Sequence, residues 1–373
     1  MRYLMLFFCL LTTAATAQTE IVADEFIYDD APFPSCHAST IVELRNGDLL
    51  AAWFGGSYEG ATDVGIWTAR KFHGATRWTN PQEVATPQGR GACYNPVLFQ
   101  MPDGEVLLFY KIGRFVQDWS GWLIRSRDNG LTWSSPEILP DGFLGPVKNK
   151  PEIVGMSAKN RKINEKSKNG VLLCPSSTEK DGWKIHFEQF ILDEAGRFPS
   201  TEKLASKALK TNPIAAAQAE KTFEAGILSP IGCIQPSILR LKNGRLQVLC
   251  RTQNARLATS FSENGGNSWS EVTLTDLPNN NSGTDAVTLH DGRHVLVYNP
   301  VATPIGENGG PRSPLSVAVS DDGQTWRNIL TLENDDKGEY SYPAVVEGRD
   351  GTLHVTYTWR RTRIKHVAVR LKP

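Results

Sequence analysis

The sequence has no excess of charge of either sign, because its 40 basic residues are matched by 40 acidic ones. A neutral chain has no bulk electrostatic field that would recruit nucleic acid or a membrane surface. It also has no C-x-x-C pair and no spacing of His, Cys and acidic residues that is typical of a metal site. We therefore expect no nucleic-acid partner, no metal and no required cofactor.

Long apolar runs are missing as well. The apolar run at residues 4–11 is too short to cross a bilayer, but it follows Arg2 and leads to Ala-Thr-Ala at 15–17. This order is typical of a secretory signal peptide. We expect removal of residues 1–17, one domain over 18–373, and export to a periplasm or the cell exterior without membrane insertion. The five cysteines of the mature chain are an odd number and predict no disulfide framework.

The chain does contain a turn that recurs six times, about every sixty residues. Asn-Gly or Asp-Gly stands between two short apolar strand patterns at 46–47, 103–104, 169–170, 243–244, 291–292 and 350–351. Both dipeptides favour hairpin turns, since their residues accept positive φ at low cost. Six such hairpins at a steady period predict an all-β fold, a six-bladed β-propeller of four-stranded antiparallel blades. Strand-like residues at the two ends of the mature chain should pair and close the ring.

A second pattern, S-x-D-x-G-x-T-W, lies between the hairpins. Residues 126–133 fit it, residues 262–269 fit it with Asn264 for Asp, and residues 319–326 fit it with Val319 and Asp321 in the Ser and Asp places. The Asp of such a turn caps its own backbone, and the Trp packs beneath it. We expect these Asp-box turns on one face of the propeller and the loops after each second strand on the other.

Two segments interrupt the period. Residues 155–170 are polar and basic, which predicts a solvated loop. Residues 200–226 are rich in Ala and Lys, which favours a short helix. We assign no function to either segment.

A polar residue precedes Pro or Ala at the start of each innermost strand. Counting back from the six turns places these residues in a ring around the axis: His37, Asn95, Lys150, Gln235, Asp285 and Tyr342. The loops after the second strands add further polar side chains, most of them charged: Tyr58, Glu59, Asp63, Lys111, Arg114, Glu179, Arg251, Arg256, Arg312, Arg360, Arg361 and Lys365. A cluster of cations on one face of a neutral protein suits a carboxylate ligand, through bidentate arginine pairing.

The Asp boxes and the sixfold period resemble the sialidase (neuraminidase) superfamily over essentially the whole mature chain. In that family three arginines hold the substrate carboxylate, a Tyr–Glu pair supplies the nucleophile, and an acidic residue works as acid and base. The resemblance implies that Arg251 and Arg312 are the second and third arginines, since each precedes an Asp box. It implies Tyr342 as the nucleophile, with Tyr340 as the alternative because Tyr340-Ser341 matches the family's Tyr-Ser pair.

The sequence departs from the family at three positions. His37 stands where the family has its first arginine, and Gln235 stands where it has the glutamate that activates the tyrosine. Gly60 occupies the acid/base position, with Glu59 beside it and Asp63 close by. Gln cannot take a proton from Tyr, whose ordinary pKa is about 10. The chain therefore resembles a divergent branch of the superfamily.

The resemblance implies a secreted, exo-acting glycosidase that releases a terminal acidic sugar, a sialic acid or a related ulosonic or uronic acid. Arg251 and Arg312 would hold the carboxylate, with His37 or Lys150 as a third contact. Further substrate contacts are expected from Gln235, Asn95, Asp285 and Arg360. Glu59 or Asp63 would be the general acid, on an acidic oligosaccharide or glycoconjugate bound by a monomer.

Two other functions fit the same residues. In a polysaccharide lyase, cations neutralise a uronate carboxylate while His37 or a Tyr removes the proton at C5, with Lys148, Lys150 and Arg251 nearby. In a non-catalytic glycan-binding propeller, the same charges would bind an acidic glycan without turnover.

Overall fold

The computed structural model of the protein describes residues 19–155, 170–211, 231–304 and 307–372. These residues form six four-stranded antiparallel sheets arranged as the blades of a β-propeller, so the fold class expected from the hairpin period is confirmed. The expected signal peptide and nearly all of the expected solvated loop lie outside the described residues.

The strands are numbered in chain order. The first is β1 (Thr19–Phe26). Blade 1 is β2 (Ser35–Glu43), β3 (Leu49–Gly56), β4 (Gly65–Lys71) and β5 (Gln82–Ala85); blade 2 is β6 (Ala92–Gln100), β7 (Val106–Gly113), β8 (Ser120–Ser126) and β9 (Glu137–Ile138); blade 3 is β10 (Glu152–Val154), β11 (Val171–Thr178), β12 (Lys184–Ile191) and β13 (Ala208–Thr211). Blade 4 is β14 (Cys233–Arg240), β15 (Leu246–Thr252), β16 (Arg256–Ser262) and β17 (Thr273–Pro278); blade 5 is β18 (Asp285–Thr288), β19 (His294–Tyr298), β20 (Leu315–Ser320) and β21 (Arg327–Glu333); blade 6 is β22 (Tyr340–Glu347), β23 (Thr352–Trp359), β24 (Arg363–Leu371) and β1.

Helical structure is sparse in the described ranges. It comprises one turn of α-helix, α1 (Thr201–Leu204), and the 3₁₀ turns Val116–Asp118 and Ala205–Lys207. The short helix expected in 200–226 is thus present, but the same segment also supplies β13 as the outer strand of blade 3. No helix in the described part of the chain is both long and apolar enough to cross a membrane.

The Asp-box turns form as their sequence predicts, with one change of phase. In the first box, Asp128 accepts the backbone N–H of Thr132 at 2.9 Å and a hydrogen bond from Ser126 at 2.7 Å. In the third box the same roles fall to Asp322 and Ser320, not to Asp321 and Val319. This third turn is one residue shorter than the pattern. The prediction that Val319 and Asp321 occupy the Ser and Asp places is therefore wrong.

The ring closes through the N-terminal strand, as expected. β1 pairs antiparallel with β24, from Thr19 opposite Leu371 to Phe26 opposite Lys365. Glu25 on β1 then ties this closing sheet to blade 1. Its carboxylate accepts hydrogen bonds from Lys71 at 2.6 Å and Trp78 at 3.1 Å, and it lies 2.9 Å from the ring of His366.

Acidification is expected to weaken this closure. Burial lowers the pKa of His366 and lowers the pKa of His354, which lies 3.1 Å from it, to about 4. Burial opposes ionisation of Glu25, but His366 and Lys71 outweigh it and lower its pKa to about 2. All three groups bind protons more readily in the unfolded chain. The free energy of unfolding that these three groups contribute is therefore complete above the unfolded histidine pKa of about 6.5 and falls as the pH drops below it. A further loss follows below about 4.3, the ordinary pKa of glutamate.

Thermal unfolding followed from about pH 7.5 to pH 4 tests this expectation. The Tm should fall steadily over that range, and it should fall less in His354→Phe, which lacks one of the two histidines. A Tm that stays constant down to about pH 5 in the unchanged protein contradicts the role given to the histidines.

Candidate active site

Four described inner strands carry the same bulge near the axis. At each bulge two residues of the inner strand lie opposite one residue of the next strand. The four residue pairs are Ala38-Ser39, Asn95-Pro96, Gln235-Pro236 and Tyr342-Pro343. The first residue of each pair has a positive φ, from 37° to 56°. Such a bulge interrupts the in-and-out alternation of a strand and re-aims a side chain. Counting from the turns put His37 in this ring, but the bulged residue of blade 1 is Ala38, and His37 directly precedes it.

Tyr342 is the centre of the site that these bulges create. Its hydroxyl oxygen accepts a hydrogen bond from Arg251 at 2.6 Å and one from the side-chain amide of Gln235 at 3.4 Å. Arg251 is itself held, because its Nε donates to Asn281 at 3.0 Å and its guanidinium carbon lies 4.8 Å from the Trp183 ring centroid. A cation therefore bonds to this tyrosine oxygen, and the side chain at the family's glutamate position is the neutral amide of Gln235.

His37 packs against Tyr342 as a neutral ring. The two ring centroids are 4.1 Å apart, Nδ1 lies 2.9 Å from the Thr358 hydroxyl, and the residue is 2% exposed. Burial lowers the pKa of His37 well below its ordinary value, and four nearby cations add to the effect: Arg361, Arg312, Arg251 and Lys148. A neutral imidazole is a poor third contact for a carboxylate, although it can act as a base.

A third arginine reaches the site from another loop. Glu339 accepts hydrogen bonds from Arg312 at 2.8 Å and from Arg361 at 2.7 Å, so the two guanidinium groups lie side by side. The carbonyl of Arg361 also accepts the backbone N–H of Cys36 at 2.8 Å, which places the β23–β24 turn beside His37. Arg361 thus lies next to the position where the family's first arginine is missing. The sequence places Arg361 among the charges of this loop, but nothing in the sequence separates its role from that of Arg360.

That neighbour, Arg360, contacts a different set of residues. Both arginines have left-handed backbones, with φ of 51° for Arg360 and 61° for Arg361, in the turn that the Thr362 N–H closes onto Trp359 at 3.1 Å. The guanidinium of Arg360 forms an ion pair with Asp335 and lies 4.7 Å from the Trp359 ring centroid. Arg360, which was expected to contact the substrate, is therefore ion-paired with Asp335. It lies outside the arginine cluster, by which we mean Arg251, Arg312 and Arg361.

Tyr340, the alternative nucleophile, is also separated from the cluster. It is 2% exposed, and its hydroxyl donates to Asp335 at 3.3 Å. In a regular strand Tyr340 and Tyr342 would share a face, but the bulge at Tyr342 turns the two hydroxyls to different partners. Tyr342 contacts Arg251 and Arg312, whereas the Tyr340 hydroxyl accepts a hydrogen bond from Arg360 at 3.5 Å.

Glu59 joins the cluster, whereas Asp63 does not. The carboxylate of Glu59 accepts a hydrogen bond from Arg361 at 2.5 Å. The carboxylate of Asp63 caps its own loop, accepting the Ser57 hydroxyl at 2.6 Å and the Ser57 N–H at 3.1 Å, and these bonds lower its pKa. Gly60 has a φ of 93°, a backbone that favours glycine, which gives a physical reason why this position carries no acidic side chain.

Lys150 and Asp285 pair with each other inside the propeller. The ammonium of Lys150 lies 2.7 Å from the Asp285 carboxylate, which also accepts the Val345 N–H at 2.8 Å and the Ser237 hydroxyl at 3.2 Å. Four blades meet at this buried carboxylate, so the two residues expected as substrate contacts are engaged with each other. Asn95, also expected there, lies at the bulge of blade 2 and is buried, with Lys111 approaching its carbonyl at 3.4 Å.

Lys148 supports the bulge that presents Tyr342. Its ammonium donates to the carbonyls of Pro343 at 2.7 Å and Thr284 at 3.0 Å and to the side chain of Asn149 at 2.9 Å, and it lies 5.7 Å from the Tyr342 ring centroid. Burial lowers the pKa of Lys148 to about 7, but three acceptors for three N–H groups favour the protonated form. The site therefore combines one tyrosine with a dense positive field. Among the described residues, no three His, Cys, Asp or Glu side chains are grouped to hold a metal ion.

Comparison with solved structures shows where this fold occurs. A protein of unknown function from Dyadobacter fermentans aligns with a TM-score of 0.67 at 14% identity, over 95% of this chain and 99% of that chain. The intramolecular trans-sialidase from Ruminococcus gnavus aligns with a TM-score of 0.64 at 12% identity, over 92% of this chain and 96% of that chain. The sialidase of Trypanosoma rangeli aligns with a TM-score of 0.61 at 15% identity, over 94% of this chain and 59% of that chain.

At these identities the structural matches show a shared fold. A search of curated proteins found no significant match. The family comparison is more specific, because the BNR repeat-like domain matches residues 47–355, which is most of the chain. The chain therefore belongs to the BNR repeat-like domain family and shares its six-bladed propeller with the sialidases.

Proposed function

We propose that the protein is an exo-acting glycosidase that releases a terminal acidic sugar from an oligosaccharide or glycoconjugate. One observation carries the proposal: two guanidinium groups contact a single tyrosine, and a third shares a carboxylate with one of them. Arg251 bonds to the Tyr342 hydroxyl, the Arg312 guanidinium carbon lies 6.0 Å from the Tyr342 ring centroid, and Arg361 shares Glu339 with Arg312. Arginine forks match a carboxylate in geometry and in charge.

The arginines bind the carboxylate of the sugar and thereby place its anomeric carbon near the Tyr342 oxygen. In the transition state positive charge builds up on the sugar ring, and an electron-rich oxygen beside the anomeric carbon stabilises it. Arg251 stabilises negative charge on that oxygen through a charge-assisted hydrogen bond of 2.6 Å. In this proposal Arg251 takes over part of the work that a Tyr–Glu pair performs in sialidases, since Gln235 cannot accept a proton.

Sialic acid is the first substrate to test, because two of the structural neighbours are a sialidase and a trans-sialidase. We also propose that the protein acts outside the cytoplasm, as a monomer, after loss of residues 1–17. N-terminal sequencing and gel filtration of the exported protein test these two points directly.

A second candidate is a lyase acting on a uronate glycan. The observation in its favour is the neutral His37 ring, 4.1 Å from the Tyr342 ring and surrounded by cations. In that reaction the cations neutralise the uronate carboxylate, one of these two residues removes the C5 proton, and the other protonates the leaving oxygen.

The test is a screen of purified residues 18–373 on sialosides, ulosonic-acid glycosides and uronate glycans, read by mass spectrometry. We expect one class of terminal acidic sugar to be released with the mass of water added, and matched neutral glycosides to be untouched. An unsaturated product that absorbs ultraviolet light and carries no added water would establish the lyase instead. Binding without any product would establish a glycan-binding propeller.

A matched variant pair connects the screen to the site. Arg312→Ala removes a guanidinium that faces Tyr342, whereas Arg256→Ala removes an exposed one at the far end of the β15–β16 loop. We expect loss of turnover by about a hundredfold or more in Arg312→Ala only, because truncating one partner of a partly buried charge contact costs about 2–5 kcal/mol. Equal activity of the two variants contradicts the carboxylate clamp.

A further inference from the structure

We infer that Glu179, in the loop between β11 and β12 of blade 3, is the general acid that protonates the leaving-group oxygen. The inference rests on the proposed glycosidase function and names a further catalytic residue for it. Sequence reasoning had placed this role on Glu59 or Asp63 in blade 1.

A short series of contacts connects Glu179 to the reacting centre. Its carboxylate accepts a hydrogen bond from the indole N–H of Trp183 at 2.9 Å. The Trp183 ring lies 4.8 Å from the guanidinium carbon of Arg251, and Arg251 bonds to the Tyr342 hydroxyl at 2.6 Å. Glu179 therefore lies near Arg251, whereas Glu59 is bonded to Arg361, and the orientation of Glu179 is set by a rigid neighbour.

The other acidic side chains near the cluster are already used as anions. Glu59 and Glu339 are bonded to arginines, and Asp63 caps the loop at Ser57. Among the described residues, Trp183 is the hydrogen-bond partner of the Glu179 carboxylate, and no cation is in direct ion-pair contact with it. A general acid has to keep its proton until the bond breaks, so a carboxyl without a paired cation suits the role best.

The environment of Glu179 agrees with this assignment. Burial raises the pKa of its carboxyl, and the charge of Arg251 and the hydrogen bond from Trp183 only partly oppose the rise. Desolvation of a carboxyl is a recurrent way of holding a proton for transfer, and at Glu179 it outweighs the opposing charge of Arg251.

Proton transfer from Glu179 accompanies cleavage of the glycosidic bond. The glycosidic C–O bond breaks, its electron pair stays on the leaving oxygen, and that oxygen takes the proton of the Glu179 carboxyl. A water molecule then gives its hydroxyl to the anomeric carbon and its proton to the Glu179 carboxylate. The acid is regenerated, and one water has been added across the bond.

The decisive variant is Glu179→Gln, which keeps the shape and the acceptor for Trp183 but has no acidic proton. It is compared with the unchanged protein on two glycosides of the same acidic sugar, one with a nitrophenol leaving group and one with a sugar leaving group. A nitrophenolate leaves without help, whereas a sugar alkoxide needs a proton. We expect kcat/KM to fall by about 10²–10⁴ for the sugar leaving group and by less than about tenfold for nitrophenol.

The pH profile gives a second readout that a structural role would not move. In the unchanged protein, kcat/KM for the sugar leaving group should fall as the pH rises through the raised pKa of Glu179, and Glu179→Gln should lack this decline. Trp183→Phe keeps an aromatic ring over Arg251 but removes the hydrogen bond that favours the carboxylate. In Trp183→Phe the decline of kcat/KM should therefore occur at higher pH than in the unchanged protein.

Glu59→Gln is the matched control, because Glu59 is the other carboxyl beside the cluster and is paired with Arg361. Glu59→Gln should change kcat/KM by the same factor for the nitrophenol glycoside and for the glycoside with a sugar leaving group. If Glu179→Gln also lowers both rates by the same factor, Glu179 is a structural residue and the inference fails while the glycosidase function stands. If the unchanged protein cleaves no acidic glycoside, the proposed function itself fails.

Discussion

Arg251→Ala is expected to lower kcat/KM for the acidic glycoside by about a thousandfold. In the proposed function the side chain has two tasks, since it would bind the carboxylate of the sugar in addition to donating the 2.6 Å hydrogen bond to the Tyr342 hydroxyl. Truncation of one partner of a buried, hydrogen-bonded charge costs about 2–5 kcal/mol, and each 1.4 kcal/mol corresponds to about tenfold. Steady-state kinetics on the substrate found in the screen measures the loss.

The direction of the loss separates the two tasks. A rise in KM alone would mean that Arg251 only binds the carboxylate, whereas a fall in kcat as well would show that it stabilises the reacting oxygen. Arg251→Lys keeps the charge but not the planar fork that also reaches Asn281, so it should recover little of the activity. Turnover in Arg251→Ala at the level of the unchanged protein is the result that would overturn the site.

Arg361→Gly is expected to weaken binding of the acidic sugar by about a hundredfold without unfolding the protein. The variant removes the guanidinium that bonds to Glu59 and Glu339. It keeps the carbonyl that accepts the Cys36 N–H, and it relieves a backbone φ of 61° that costs an L-residue about 1–2 kcal/mol. Stability should therefore change little while affinity falls, which calorimetric titration with N-acetylneuraminic acid and thermal unfolding can measure side by side.

The adjacent residue provides an unusually close control. Arg360 occupies the same turn with a φ of 51°, but its guanidinium pairs with Asp335 outside the cluster. Arg360→Gly makes the same chemical change in the same type of backbone and should leave sugar affinity intact. If the two glycine variants bind equally well, the third guanidinium of the clamp is not Arg361.

Much of the fold follows from local rules. Asn-Gly and Asp-Gly turns depend on the two residues of the turn, and the pairing of the terminal strands depends on their apolar pattern, so both were predictable. The predicted ring of inner-strand positions included both Gln235 and Tyr342, and the structure places the Gln235 side-chain amide 3.4 Å from the Tyr342 hydroxyl. Arg251 and Arg312, assigned through the family resemblance, lie at the same site.

The errors occur where one inserted or deleted residue changes the direction of a side chain. The third Asp box is one residue shorter than the pattern, so Asp322 and not Asp321 caps its turn. In blade 1 the bulged residue is Ala38 and not the predicted His37, which precedes it. Tyr340 and Tyr342 are two residues apart and would share a face of a regular strand, but the bulge at Tyr342 sends their hydroxyls to different partners. Because the side-chain period of a strand is two, a shift of one residue reverses a prediction completely.

The sequence by itself determined the propeller, its closure and the presence of a cationic face, since these depend on repeated turn chemistry and apolar patterning along the chain. Only the tertiary structure decided which of the charges on that face gather around Tyr342. Lys150 and Asp285 neutralise each other at the axis, Arg360 pairs outside the site, and Arg361 takes the place beside His37. Whether a charge is paired depends on residues that are distant in sequence and close in space. A local pattern can therefore predict that an arginine is present at this face, but not which ligand it is free to bind.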